Sequence, residues 1–217
     1  DEILAGGGAA EAHTVDACDE TAVAGLFAAL ARRFGRIDIL VNAVGGGKPA
    51  ALDEIGGAEW DRMFAFNVKS AFFCAREAAR HMPADGRIVN VASLAGVTSS
   101  VLQGAHYSSA KAAVIGMVRA LAIEGRRHGV LVNAIAPYGY SQMTAKYMSG
   151  DIASIFDPQR VAPLVAWLAG AGCNVSGDVL VCGGGLVRRA GVGETDALAL
   201  PDADLADTVR DLHALGW

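Results

Sequence analysis

Apolar and polar positions along the chain follow two periodicities that alternate from one end to the other. Short apolar runs rich in β-branched residues are typical of strands, whereas apolar residues spaced three and four apart are typical of helices. Runs of the first kind occupy residues 12–17, 37–45, 86–93, 130–137 and 177–184. Runs of the second kind occupy residues 20–35, 58–82, 105–129 and 158–172. The 58–82 pattern fits either one long helix or two abutting ones.

This alternation predicts a parallel β-sheet covered by helices on both faces. Continuously apolar strands are typical of sheets buried on both sides, and parallel strands need a crossover connection between them. The 217 residues suffice for one sizeable core, so we predict a single α/β domain over residues 1–217. The acidic tail that begins at Glu194 predicts a short amphipathic helix.

Composition and charge narrow the class of protein. Apolar residues make up 53% of the chain, which excludes disorder, and no apolar stretch is long enough to span a membrane. The formal net charge of −5, without any Lys/Arg run, argues against a nucleic-acid partner. The four cysteines lack C-x-x-C spacing, which indicates a reducing compartment, not a disulfide frame or zinc site. No stretch resembles a signal peptide, so we expect a cytoplasmic protein without a metal site.

Candidate functional residues cluster where the predicted strands end. In open α/β sheets, ligands bind outside the carboxyl ends of the strands. Asp16 ends the first predicted strand, residues 42–47 end the second, and Ser93 ends the third. A further segment follows Pro137 at the end of the fourth. We therefore expect a ligand site along this edge of the sheet.

The helix predicted over residues 105–129 carries Tyr107 and Lys111 four positions apart, so both side chains share one face. A phenol with an ordinary pKa of about 10 is a poor acid–base group at neutral pH. An ammonium about 4 Å away, at an effective dielectric of 20, favours the phenolate by roughly 4 kcal/mol before desolvation. The pair can therefore serve proton transfer. On its own, however, this spacing is more often a surface lysine beside a half-buried tyrosine.

Two further polar side chains and one glycine run strengthen the functional interpretation. Ser93 can hydrogen-bond the same substrate oxygen that the phenol serves, although a lone serine there is more often a turn or cap residue. Asn67 lies inside a predicted helix, where asparagine tends to bend the helix or open a turn, or is simply tolerated on the surface. The glycines after Asn42 allow a ligand to approach the backbone closely, or form an ordinary turn.

Taken together, these residues resemble a classical short-chain dehydrogenase/reductase. The family's Asn–Ser–Tyr–Lys tetrad is matched in type, order and approximate spacing by Asn67, Ser93, Tyr107 and Lys111. The motifs fall in the family's order along essentially the whole chain.

The resemblance extends to positions that contact the cofactor in the family. Asp16 matches the strand-end aspartate that contacts the adenine. The sequence "NAVG" keeps Asn42 and Gly45 of the family's N-N-A-G motif and changes the two residues between them. Pro137 and Thr144 match the segment beside the nicotinamide.

This resemblance implies a three-layer Rossmann-type doubly wound parallel sheet and an NAD(P)-dependent oxidoreductase that interconverts a secondary alcohol and a ketone. It implies that Tyr107 is the general acid or base, and that Lys111 lowers the phenol pKa and binds the nicotinamide ribose. Ser93 would polarise the substrate oxygen, and Asn67 would hold a proton-relaying water. The cofactor stays NAD or NADP, because the selecting residue follows a strand that has no counterpart here.

Longer stretches resemble the branch that contains (3R)-hydroxyacyl-CoA dehydrogenase domains of multifunctional β-oxidation enzymes. They are "LAIEGRRHGVLVNAIAP", "SQMT", "RVAPLVAWLAG" and "GGGLVRRAGVGET". The branch implies a 3-hydroxyacyl-CoA or steroid-like substrate. Residues 137–156 would then form a mobile apolar lid, or else an ordinary connection. Relatives usually form homodimers or tetramers through the helices that match residues 58–82 and 105–129.

The family's first two strands, and the T-G-x-x-x-G-x-G loop after the first, have no counterpart in these residues. Neither "AGGGAA" at 5–10 nor "CGGGL" at 182–186 is expected to bind a pyrophosphate, because each matches another turn of the family. The family's strand order would then expose one edge at residues 37–45 and isolate residues 12–17. Two explanations remain: a fragment of a longer dehydrogenase, or a cofactor-incompetent homologue that serves as a non-catalytic partner of a related subunit.

Overall fold

The computed structural model describes residues 2–98, 104–141, 144, 145, 148 and 150–194. Within these residues, five strands form one sheet in the order β1-β2-β3-β4-β5. They are β1 (Ile39–Asn42), β2 (Arg87–Val91), β3 (Leu131–Pro137), β4 (Val179–Gly183) and β5 (Leu186–Ala190). Strands β1 to β4 run parallel, and β5 returns antiparallel beside β4.

Helices connect the strands. They are α1 (Glu2–Ala5), α2 (Glu20–Phe34), α3 (Gly57–Phe64), α4 (Ser70–Ala79), α5 (Ala95–Thr98), α6 (Ala105–Gly125), α7 (Asp151–Ile155) and α8 (Ala162–Ala169). A π-helical turn, Ala65–Lys69, joins α3 to α4 without a break. Short 3-10 turns occupy Leu52–Glu54, Arg126–His128 and Pro158–Arg160. The pattern at 58–82 therefore forms two abutting helices.

Both faces of the sheet are covered, as the apolar strands predict. Neighbouring residues of a strand point to opposite faces. Ile88 accordingly belongs to a cluster with Val114 and Val118 of α6, whereas Val89 belongs to a second cluster with Leu168 of α8. Burying a side chain of this kind contributes about 1.5–3 kcal/mol. The predicted α/β fold with helices on both faces is confirmed.

The strand predicted over residues 12–17 is wrong. This segment forms no ladder with any strand of the described chain. A strand needs a partner for its backbone groups, and the family's first two strands, which lie between this segment and the rest of the sheet, have no counterpart in these residues. The segment instead ends in a turn, where the Asp19 N–H donates to the Asp16 carbonyl at 3.0 Å. The Asp19 carboxylate then caps α2 by accepting from Thr21 N at 2.9 Å and Ala22 N at 3.0 Å.

Strand β1 is the outer strand on one side of the sheet. Ile39 is 48% exposed and Val41 is 41% exposed, so the interpretation of residues 37–45 as a buried strand is wrong. The expectation that this edge is exposed is confirmed. An apolar edge with unpaired backbone groups favours pairing with a further strand.

Several other elements differ from the sequence prediction. The apolar pattern did not predict β5 or α5, which are five and four residues long. The long helix ends at Gly125, and the chain turns at Gly129, whose φ of 70° is in the left-handed region that suits glycine. The predicted tail helix lies outside the described residues. Within them, no helix combines the length and apolar character that membrane crossing requires.

We expect the variant Asp19→Ala to lower the free energy of unfolding by about 1 kcal/mol, because two backbone donors of α2 lose their acceptor. Denaturant unfolding followed by circular dichroism measures this change. Asp53→Ala is the control, since Asp53 is exposed in a short 3-10 turn. Equal stability of the two variants would contradict the capping role.

Candidate active site

Several of the predicted site residues gather where β1, β2 and β3 end. The turn after β2 carries Ser93, and it lies beside the end of β3 because Leu94 N donates to the Pro137 carbonyl at 3.4 Å. Helix α6 begins at Ala105 and carries Tyr107 and Lys111 in its first two turns. The carboxyl ends of parallel strands thus bring residues distant in sequence to one edge.

Lys111 is only 3% exposed. Its Nζ donates a hydrogen bond to the carbonyl of Val91, the last residue of β2, at 2.9 Å. Burial disfavours the ammonium and lowers the pKa of Lys111 to about 8. An ammonium has three N–H donors. One bond of Nζ is present in the described chain, so two donors remain for a ligand.

Tyr107 is half-buried, and burial raises the pKa of its phenol above the ordinary value. A hydrogen bond with the Ser93 side chain acts in the opposite direction and lowers this pKa, but its effect is smaller. Lys111 Nζ lies 5.9 Å from the Tyr107 ring centroid. The predicted lowering of the phenol pKa by Lys111 is therefore wrong for this structure, because the ammonium is turned toward Val91 and desolvation dominates.

Asn67 lies in the π-helical turn between α3 and α4 and is 1% exposed. Its amide nitrogen donates to the carbonyls of Gly46 at 2.9 Å and Met63 at 3.0 Å. Its carbonyl oxygen accepts from Gly46 N at 2.9 Å. The expectation that Asn67 opens the helix is confirmed, and π-turns of this kind occur often at functional sites.

The glycine loop after β1 lies directly against these side chains. A Cβ at Gly45 would lie 2.6 Å from Asn67 Oδ1 and 2.8 Å from Lys111 Nζ. A Cβ at Gly47 would lie 2.9 Å from Met63 Cε and 3.0 Å from Tyr107 Cδ2. Any other residue at either glycine would therefore have to displace these neighbouring side chains. The loop thus brings Asn67, Lys111 and Tyr107 around one backbone segment.

Asn42 and Asp16, two residues predicted to bind the cofactor, make hydrogen bonds within the protein. Asn42 is buried, and its Nδ2 donates to the Ala71 carbonyl at 3.1 Å and to Asn90 Oδ1 at 3.0 Å. Its amide therefore ties β1 to α4 and β2. Asp16 is exposed, and its carboxylate accepts from Cys18 N at 2.8 Å in the turn before α2.

Thr144 closes the loop that follows Pro137. Its hydroxyl donates to the Gly139 carbonyl at 2.7 Å and accepts from Ser141 N at 2.8 Å. Further along, the rings of Tyr138 and Phe156 lie 5.5 Å apart at the two ends of the segment predicted to be a lid. Residues 142, 143, 146, 147 and 149 of that segment lie outside the described residues.

Sequence reasoning missed two partners of the predicted residues, the Val91 carbonyl and Met63. A backbone carbonyl and an apolar side chain leave no motif in a sequence. The position of Val91 at the end of the predicted strand 86–93 was a usable signal, because strand-end backbone groups face the same edge as Ser93.

Comparisons with known proteins agree with this arrangement. The family model "short chain dehydrogenase" matches residues 1–151. Peroxisomal multifunctional enzyme type 2 of Mus musculus is 34% identical over 158 residues, which are 72% of this chain and 21% of that protein. The peroxisomal hydratase-dehydrogenase-epimerase of Neurospora crassa is also 34% identical, over 87% of this chain and 21% of that protein. The chain thus spans about a fifth of the length of these curated relatives.

Solved structures extend the likeness to the fold. A short chain dehydrogenase from Mycobacterium avium superimposes with a TM-score of 0.86 at 34% identity, over 99% of this chain and 77% of that one. A short chain dehydrogenase from Burkholderia cenocepacia in complex with NADP gives a TM-score of 0.75 at 30% identity, over 85% and 79%. The tyrosine–lysine helix, the serine turn and the asparagine π-turn therefore lie in a known framework, and the chain belongs to the short chain dehydrogenase family.

Proposed function

We propose that the protein is an NAD(P)-dependent oxidoreductase that interconverts a secondary alcohol and a ketone. The observation that carries this proposal is the arrangement of Tyr107, Ser93 and Lys111 at one sheet edge. The phenol interacts with the serine hydroxyl, and a buried ammonium lies on the same helix. The family membership and the NADP complex of the Burkholderia cenocepacia relative support the same reaction class.

Tyr107 is the proposed proton donor to the carbonyl oxygen during reduction. Burial raises the pKa of its phenol, so the neutral, donating form is the resting form near neutral pH. Ser93 lies beside the phenol and holds the same substrate oxygen by a second hydrogen bond. In the oxidation direction the phenolate accepts the alcohol proton, so the phenol must first release its own proton.

Lys111 is the proposed relay for that proton, and Asn67 fixes the loop beside it. A lysine with a pKa of about 8 exchanges protons readily near neutral pH, which an ordinary lysine does not. Asn67 holds the Gly46 backbone through both ends of its amide, and so fixes the loop that lies against Lys111. These contacts hold the ammonium beside Gly45 and Val91, 5.9 Å from the centroid of the Tyr107 ring.

The residues present fit the nicotinamide end of a dinucleotide. Lys111 has buried donors left over after its bond to Val91, and these suit ribose hydroxyl groups. Gly45, Asn42 and Pro137 supply the neighbouring backbone, while Asp16 and Thr144 are the proposed outer contacts. The bound cofactor would supply or take the hydride. The proposal covers both NAD and NADP as cofactor.

The proposed substrate is a 3-hydroxyacyl-CoA or a steroid-like secondary alcohol. The likeness to peroxisomal multifunctional enzyme type 2 supports this class. The aromatic pair Tyr138–Phe156 supplies an apolar wall next to the end of β3, which suits an acyl chain or a fused ring. A homo-oligomer remains part of the proposal on the basis of the family.

We expect Tyr107→Phe to lower kcat by about 10²- to 10⁴-fold in the full-length natural protein, because the proton donor is lost while the ring still packs. Steady-state turnover of a 3-hydroxyacyl-CoA with NAD and with NADP measures the change. Ser109→Ala removes a hydroxyl from the same helix and should retain normal turnover.

Near-normal turnover of the Tyr107→Phe variant would refute the catalytic assignment. Titration of the wild-type protein with NADH, followed by nucleotide fluorescence, accompanies the assay. An unchanged fluorescence signal would refute cofactor binding and favour a non-catalytic partner subunit.

The pKa of Lys111 also predicts how stability depends on pH. Between about pH 8 and about pH 10.5 the unfolded chain holds a proton on this lysine that the folded chain has lost. Stability should therefore rise with pH across this window, and the rise is absent below the folded pKa. Relative to Lys111→Met, the free energy of unfolding of the wild type should gain up to about 3 kcal/mol over the window.

Denaturant unfolding at a series of pH values measures this gain. The exposed Lys48, substituted by Met, serves as the control and should keep the wild-type dependence on pH. A difference between wild type and Lys111→Met that stays constant from about pH 7 to about pH 10.5 would show that Lys111 has an ordinary pKa.

A further inference from the structure

Gly96 lies where α5 packs closely against the backbone of α6. A Cβ at this position would lie 2.6 Å from the carbonyl carbon of Lys111, 2.9 Å from its oxygen and 2.8 Å from Ala112 N. All three atoms belong to the α6 backbone, so no change of side-chain rotamer relieves the clash. The packing of the two helices at the position of Lys111 therefore depends on the missing side chain.

The same glycine is tied to the serine turn. Its N–H donates to the Ser93 carbonyl at 3.0 Å, and the neighbouring Ala95 N donates to Ser93 Oγ at 3.2 Å. The turn that carries the serine hydroxyl is thus continuous with the helix that touches Lys111. A displacement at Gly96 changes the position of Ser93 relative to α6.

Lys111 has little room to absorb such a displacement. Its Nζ is held by the Val91 carbonyl at one side and faces the backbone of Gly45 at the other. Tyr107 lies one turn earlier on the same helix, so any shift of the α6 backbone also moves the phenol. Ser93, Tyr107 and Lys111 are thus mutually positioned through one contact between two backbones.

We propose that Gly96 is a positioning residue for the reaction, because its contact with the backbone of Lys111 sets the relative placement of Ser93, Tyr107 and Lys111. This inference rests on the proposed dehydrogenase function for its kinetic test. It extends that function to a residue that touches neither substrate nor cofactor.

The test compares Gly96→Ala with Gly116→Ala. Both substitutions add one methyl group to a helical glycine, and helix propensity favours alanine at both. A Cβ at Gly116, on the same α6, meets no atom within 4 Å. We expect Gly116→Ala to retain wild-type turnover and Gly96→Ala to lose about 10- to 100-fold in kcat with a smaller change in KM, as for a misplaced catalytic group. Equal kcat values for the two variants would overturn the proposal.

A double-mutant cycle with Ser93→Ala separates positioning from general destabilisation. If Gly96 acts by placing the serine and lysine groups, its substitution costs less once the Ser93 hydroxyl is already absent. Losses in kcat that multiply independently would overturn the proposal. If Gly96→Ala does not fold, Ala95→Gly replaces it in the double-mutant cycle. This variant loosens the same buried turn without a steric clash, and it keeps the backbone N–H that donates to Ser93 Oγ.

A second readout does not require turnover. The Lys111 ammonium can be titrated by NMR of its side chain, and burial places its pKa at about 8. We expect Gly96→Ala to move this value upward by about half a unit or more as the ammonium gains solvent, and Gly116→Ala to leave it in place. An unchanged titration in Gly96→Ala would overturn the proposal. A wild-type protein that turns over no secondary alcohol would instead refute the proposed function, and the titration would still decide the role of Gly96.

Discussion

The hydrogen bond from the Lys111 ammonium to the Val91 carbonyl is the interaction on which the site depends. It joins the first turns of α6 to the end of the interior strand β2, and it does so inside a region where water is largely excluded. A buried ammonium needs a partner, since an unpaired one would be expelled or lose its proton. The bond therefore fixes the helix and the strand end together, while burial of the same ammonium lowers its pKa.

Around this bond, two kinds of packing constrain the polar groups. Gly45 lies against the Lys111 ammonium, and Gly96 lies against the Lys111 backbone. The π-turn at Asn67 supplies an amide that satisfies both backbone groups of Gly46. Polar side chains are thus held by backbone atoms, which have few alternative positions. Such a surround keeps a proton-transfer group in one geometry at little entropic cost during the reaction.

The sequence contained most of the site and much of the fold. Helical spacing placed Tyr107 and Lys111 on one face, strand-end logic placed Ser93 beside them, and the poor helix propensity of Asn67 indicated the opened turn. The direction of the phenol pKa could not be predicted, because it depends on the balance between desolvation and the orientation of an ammonium. The strand prediction for residues 12–17 failed for a different reason. An apolar pattern indicates a tendency to form a strand, but a strand also requires a neighbouring strand with which to form hydrogen bonds.

The exposed outer side of β1 constrains what can complete this sheet. Its backbone runs in the same direction as β2, and its apolar residues Ile39 and Val41 are open to solvent. A strand that extends the parallel array here ends at the same edge as the tyrosine–lysine helix. Pairing along β1 would therefore close this edge of the sheet and at the same time change the surroundings of Tyr107 and Lys111, because the loop after β1 lies against both side chains.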